Sequence, residues 1–284
     1  MDNLVIGASG QVGHCILEEL HKRGLDALGT YNTRSLPGLW HLHLEDDRAI
    51  SSLVLGLKPK CIYLCAALTH VDYCEEHRAE SFRANVIGVA HLAHLARKLE
   101  SRLVYISTDY VFDGKAGPYV ETDKPAPVNV FGEHKLASEY IVSQLPNIIA
   151  RTTWVYSHEQ PGPGKNFVER LIASLAKGEE VRVPTDQFGT PTYAPDLAER
   201  LVTLAQAGET GLVHLAGTDW LSKYEFAMEV AGAFGLDYGC IRGLPTSALG
   251  QVAPRPLRAG LKTMHPYILP DLGSSLRRMV EVSQ

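Results

Sequence analysis

The segment VFGEHKLASE, residues 130–139, sets Phe131 four positions before Lys135. On a helix, residues four apart share one face. A lysine so placed serves proton chemistry on a neighbouring group, yet phenylalanine has no proton to give. The pair alone leaves three readings open. It belongs to an enzyme short of its acid, to a ligand-binding protein without turnover, or to a helix with an ordinary core phenylalanine.

A second set of residues has the spacing of a phosphate cradle. Gly7, Gly10 and Gly13 fall in GASGQVG, after the apolar run NLVI and before the helical pattern HCILEELHKRG. One glycine permits a tight turn, one lets the backbone approach a pyrophosphate, and one lets helix and strand pack closely. That context points to a dinucleotide. An NAD site carries an acid about 20 residues past the glycines to hold the ribose 2′-hydroxyl. Here LGTYNTR, residues 28–34, holds none, and no Asp or Glu stands between Asp26 and Glu45. Thr30, Asn32 and Arg34 are the candidate holders of a 2′-phosphate. NADP is therefore expected, with NAD as the alternative; Arg34 also reads as a solvated loop charge.

These groups need a scaffold. NLVI, DALGTY, CIYLCAAL, RLVYIST and NIIARTTWVY read as strands, and CIYLCAAL has the continuous apolar character of a strand buried on both faces. Between them AESFRANVIGVAHLAHLARKLE reads as one long helix and residues 131–144 as another. Strands alternating with helices imply an α/β fold with a Rossmann-type doubly wound parallel sheet. After Tyr156 the pattern changes. SHEQPGPGKN reads as a loop, three helical segments follow around the strand GLVHLAG, and the stretch from Leu244 to Pro270 is proline-punctuated. We expect a dinucleotide-binding domain over 1–155, with about 190–209 packing back on it. A smaller C-terminal α/β substrate-binding lobe is expected over 156–189 and 210–284.

Bulk properties narrow the class. The 284 residues carry 27 Lys and Arg against 32 Asp and Glu, a net charge of −5, with no basic run to bind nucleic acid. Hydrophobic residues at 45% and a mean hydropathy of −0.06 suit a water-soluble globular chain. MDNLVIGASG has no basic leader, and no apolar span is long enough for a membrane. A cytoplasmic setting is expected, with no membrane partner. The five cysteines form no CxxC pair and read as free thiols. His41 with His43, and His91 with His94, lack a second pair at ligand spacing, so no metal is expected.

With these motifs assembled, the chain resembles extended short-chain dehydrogenase/reductases, most closely the dTDP-4-dehydrorhamnose reductase family. It is also similar to the beta regulatory subunit of methionine adenosyltransferase, which shares the scaffold. The resemblance spans nearly the whole length and is most specific at STDYVFDG, residues 107–114. It implies that GASGQVG, including Gln11 and Val12, holds the cofactor phosphates. It implies that Leu44 offers its backbone near the adenine, although His43 stands where the family has an aspartate. Ala66, Ala67 and Thr69 of CAALTHVDYCE would line the nicotinamide side, and Asn85 matches a helix asparagine of the fold.

In the family pattern a tyrosine gives a proton to the reduced carbonyl oxygen, a Ser/Thr hydroxyl bonds that oxygen, and a lysine holds the nicotinamide ribose. The resemblance places Thr108 and Lys135 in the last two roles and Phe131 in the tyrosine position. General acid catalysis is worth about 10²–10⁴-fold, so impaired turnover is expected. Three explanations stay open: binding without turnover, another acid (Tyr110, His134 or a water), or a tyrosine deliberately exchanged. By family position Thr69, Thr108, Tyr110, Trp154, Asn166 and Arg255 would contact a nucleotide-linked 4-keto-deoxysugar. Trp154 equally reads as core, and Arg255 as the partner of a surface carboxylate. The implied assembly is a monomer or homodimer, with a regulatory protein partner under the non-catalytic alternative.

Overall fold

The computed structural model describes residues 1–158 and 166–283; the Gly/Pro-rich stretch 159–165, expected to form a loop, lies outside the described residues. The central sheet is built from β1 (Asn3–Ile6), β2 (Ala27–Tyr31), β3 (Trp40–His41), β4 (Cys61–Leu64), β5 (Arg102–Thr108), β6 (Ile148–Thr152) and an edge strand Gly211–His214. Their order is Gly211–His214, β6, β5, β4, β1, β2, β3, and every pair is parallel. The chain reverses its winding between β1 and β4. In open α/β sheets, ligands bind outside the carboxyl ends of strands at such a switch point.

Among the described residues the ten α-helices are α1 (Gln11–Lys22), α2 (Asp47–Leu57), α3 (Val71–Glu76), α4 (Arg78–Phe82), α5 (Gly88–Leu99), α6 (Val130–Val142), α7 (Phe167–Leu175), α8 (Ala194–Ala207), α9 (Lys223–Ala233) and α10 (Leu272–Ser283). Alternation along each strand distributes the apolar residues between two layers. Val5, Tyr63 and Val104 join Ile16 and Leu20 of α1 and Leu197 and Leu201 of α8 on one face. Leu4, Ile6, Ile62 and Tyr105 join Ile50 and Val54 of α2 and Val89 and Leu92 of α5 on the other. A third core, with Val168, Leu171, Phe226, Val230 and Met279, holds the second lobe.

Two expectations need correction. The segment expected as one helix over 79–100 is α4, a π-helical turn Arg83–Ile87, and α5. A π turn accommodates an extra residue, and such turns cluster at functional sites. Gly211–His214, placed by sequence in the second lobe, belongs to the central sheet beside β6, with Val213 opposite Ala150. Its local pattern does not say which strand it pairs with. No described helix is long and apolar enough to cross a membrane.

A buried ion pair fastens α6 to the sheet. Arg151 Nε and Nη2 donate to Glu139 Oε1 and Oε2 at 2.9 and 2.6 Å, and Ser107 Oγ also donates to Glu139. This bidentate geometry is the strong form of carboxylate–guanidinium pairing. It fixes the register of the helix that carries Phe131 and Lys135.

Candidate active site

A cleft of about 850 Å³ opens at the carboxyl ends of β1, β4, β5 and β6. Its walls bring together most of the residues singled out in the sequence. Gly7, Gly10, Gln11, Val12 and Gly13 form one end, with Leu44 nearby. Ala66, Ala67 and Thr69 follow from the exit of β4, Thr108 from the end of β5, Tyr110 from the turn after it, Phe131 and Lys135 from α6, and Trp154 from beyond β6.

At the glycine end the fit to a dinucleotide is steric and electrostatic. Gly7 sits at φ +89°, and a Cβ there would lie 2.7 Å from Ala66 N, so a side chain is excluded twice over. α1 starts at Gly10 with no side-chain cap, whereas Asp46, Asn129, Asn166 and Ser222 cap α2, α6, α7 and α9. The first-turn N–H groups of α1 thus face the cleft end without a side-chain acceptor, the arrangement that receives a phosphate. Thr30 does not line the cleft. It is buried, its Oγ1 accepts from Gly7 N at 3.2 Å and its carbonyl from Ala8 N at 2.7 Å, so it shapes the loop from behind. Asn32 and Thr33 do line the cleft, and half-buried Arg34 follows them outside the lining.

At the other end α6 comes unusually close to the turn after β5. A Cβ on Gly132 would lie 2.1 Å from Tyr110 O, so only glycine permits this approach. Asn129 caps the helix by accepting from Gly132 N at 2.9 Å. The result is a polar floor with one apolar ring in it. Lys135 is buried, donates to Ile106 O at 2.6 Å, and lies 4.1 Å from the centre of the Tyr105 ring. Burial pulls its ammonium down to about 7, against the attraction of Glu139 and Cys65. Phe131 is 7% exposed and meets the Tyr110 ring edge-on at 5.8 Å. Burial pushes the Tyr110 phenol up to about 12. Thr108 Oγ1 accepts from Tyr110 N at 3.2 Å and donates to Asp109 Oδ1 at 3.3 Å.

Trp154 lines the cleft with φ +42°, a left-handed conformation rare for a bulky residue and of the kind that gathers at functional sites. Gly189 leaves room beneath its ring, and Lys223 Nζ lies 4.1 Å from the ring centre. The indole thus packs against the third core, on Phe226, and also lines the cleft.

Three proposed contacts and one proposed acid are placed elsewhere. Asn85 is buried behind the wall: its Oδ1 accepts from Leu68 N and its Nδ2 donates to Leu68 O, both at 2.9 Å. It holds Leu68, in the segment bearing Ala66, Ala67 and Thr69, and does not line the cleft. Asn166 caps α7, accepting from Glu169 N and donating to Ser157 O. Arg255 pairs with Asp72 at 2.8 Å and donates to Ala253 O at 2.7 Å, so its guanidinium is engaged with α3. His134 turns to Ser81, with Nδ1 2.8 Å from Ser81 Oγ, and is no acid for this cleft.

Sequence reading passed over Asp109, which lines the cleft yet is 1% exposed, and Cys65, beside Lys135. It also passed over Lys223, boxed by Trp154, Phe167 and Phe226. Asp109 had a signal, as the acid within STDYVFDG; Lys223 had none, because its surroundings come from three distant segments. Among the described residues no three His, Cys, Asp or Glu side chains gather as a metal site.

A model of the RmlD substrate binding domain matches residues 1–267. The chain belongs to the RmlD family. A dTDP-4-dehydrorhamnose reductase of Mycobacterium tuberculosis is 33% identical over 268 residues, covering 92% of this chain and 84% of the relative. The crystal structure of a dTDP-4-dehydrorhamnose reductase from Bacillus anthracis, in complex with NADP, superposes with a TM-score of 0.89 at 29% identity. It covers 99% of this chain and all of that one. The beta subunit of methionine adenosyltransferase 2 from Danio rerio is 31% identical over 266 residues, covering 91% of this chain and 82% of the relative. The RmlD relatives thus include reductases and a subunit named for a different enzyme.

Proposed function

We propose that this chain is an NADP(H)-dependent reductase of a nucleotide-linked 4-keto-deoxysugar, of the dTDP-4-dehydrorhamnose reductase type. The observation that carries the reading is the convergence, in one cleft of about 850 Å³, of the glycine cradle, Lys135 and Thr108. The glycine loop and the α1 N-terminus would hold the pyrophosphate, Asn32, Thr33 and Arg34 the 2′-phosphate end, and Lys135 the nicotinamide ribose. When bound, NADPH supplies the hydride. Thr108 bonds the substrate carbonyl oxygen and orients it. Trp154 and Tyr110 flank the sugar with flat apolar faces. Phe131 keeps the volume of the expected tyrosine and lacks its proton, so turnover is slowed relative to the tyrosine-bearing pattern. The test is to incubate the protein with NADPH and a panel of nucleotide 4-ketosugars, recording binding and NADPH oxidation separately. Oxidation with a dTDP-linked 4-keto-6-deoxysugar supports the reading; tight NADPH binding without oxidation on any sugar, by this chain and by Phe131→Tyr alike, refutes it.

A second reading has a specific observation behind it. Phe131 removes the acid while the cofactor cradle is retained, and one relative is a methionine adenosyltransferase beta subunit. In that reading the chain binds NADP and regulates a partner enzyme. Altered activity of a methionine adenosyltransferase on adding this chain, with no sugar turnover, would support it.

A further inference from the structure

We propose that Asp109 supplies, through the hydroxyl of Thr108, the proton that Phe131 cannot give. This rests on the reductase reading above. Asp109 is a cleft-lining carboxyl that is almost wholly buried. Its two oxygens have different surroundings. Oδ2 accepts from Thr153 Oγ1 at 2.7 Å and from Gly260 N at 3.2 Å. Oδ1 has Thr108 Oγ1 as its hydrogen-bond partner, at 3.3 Å. A neutral carboxylic acid needs one oxygen that accepts and one that donates, and these two positions provide that division. With Asp109 neutral, the bond that Thr108 Oγ1 donates to a carboxylate Oδ1 reverses, and the acid proton on Oδ1 points to Thr108.

Thr108 has the capacity to pass the proton on. Its oxygen accepts from Tyr110 N at 3.2 Å, leaving one lone pair for the Asp109 proton and its own hydrogen for the cleft. The step balances. Hydride from the bound dihydronicotinamide forms the new C–H bond at the carbonyl carbon, and the C=O π pair moves onto oxygen. That oxygen takes the Thr108 proton as Thr108 takes the one on Asp109. The Asp109 carboxylate regains a proton from water when product leaves.

The charge environment favours the neutral acid. Burial raises the Asp109 carboxyl above its ordinary range, ahead of the hydrogen bonds from Thr153, Gly260 and Thr108 that lower it. Lys223, from α9, is the cation facing it, and burial pulls that ammonium down to about 7. Tyr110 is the other titratable neighbour and stays protonated, at about 12. Lys135 is engaged with Ile106 O and the face of the Tyr105 ring.

The experiment crosses two substitutions in the full chain, with NADPH and a dTDP-linked 4-keto-6-deoxysugar. Asp109→Asn should lower kcat about 10²-fold in the Phe131 protein. In the Phe131→Tyr background the same change should move kcat by no more than about twofold, because the phenol bypasses the relay. NADPH titration and thermal melting report folding in every variant. Equal loss in both backgrounds would show that Asp109 only positions Thr108, and overturns the proposal. A larger loss in Tyr110→Phe than in Asp109→Asn overturns it in favour of Tyr110. Where Asp109→Asn does not fold, the unsubstituted protein decides: its kcat must fall as pH rises and the donor is lost, and a flat profile overturns the relay. Turnover by Phe131→Tyr alone also overturns it while leaving the reductase reading intact. No turnover by any variant overturns both.

Discussion

Replacing Lys135 by methionine should stabilise the ligand-free protein at low pH while weakening NADPH binding. Lys135 is 4% exposed, and its ammonium has one carbonyl and one aromatic face for company. Burial lowers it from 10.5 to about 7. The folded pKa lies below the unfolded one, so between these values the unfolded chain holds the extra proton and stability rises with pH. Integrating over that linkage, the change from about pH 6 to about pH 8.5 is worth about 2 kcal/mol in favour of folding. For a chain of this size that is a rise of about 4–8 °C in Tm. Above about pH 9 the buried thiols of Cys15 and Cys61, raised to about 12 and 11, act in the opposite sense, which sets the upper end of the useful range.

Lys223 contributes in the same direction as Lys135, but less, because its side chain is only half-buried. Scanning calorimetry of both proteins across the range checks the argument. Lys135→Met should melt higher at pH 6, lose more than half of the pH slope, and bind NADPH more weakly by fluorescence titration. An undiminished slope in Lys135→Met would refute burial of this ammonium as the cause.

Phe131→Tyr should raise kcat on a nucleotide 4-ketosugar by about 10²–10⁴-fold with NADPH affinity nearly unchanged, since one hydroxyl is added to a ring already in place. Steady-state kinetics checks it, and an unchanged kcat would count against the missing-acid argument. NADPH should bind more tightly than NADH, and Arg34→Ala should cost NADPH about 1–3 kcal/mol while leaving NADH unaffected; parallel titrations decide. Arg151→Ala should destabilise the fold by about 3–5 kcal/mol, because Glu139 is left charged and buried. Chemical denaturation would measure this, and a loss below 1 kcal/mol would show that the pair carries no such cost.

Local signals in the sequence were enough for the parallel sheet, the glycine loop and the α6 face. Each depends on residues a few positions apart: the continuous apolar strands, Gly7, Gly10 and Gly13, and Phe131 with Lys135. The fates of Asn85, Asn166 and Arg255 by family position, and of Thr30 by its place after the glycine loop, were not legible, since a position near a site does not say where a side chain points. Leu68, Ser157 and Asp72 claim three of them, and the fourth turns inward to hold Gly7. Gly211–His214 entered the central sheet rather than the lobe because the open edge of β6 was the place its backbone groups could pair. The solvation of Lys135 and Asp109 was beyond any one-dimensional reading. A charge is shifted by what surrounds it, and those surroundings come from β5, α6, α9 and residues near Gly260, brought together only when the chain folds.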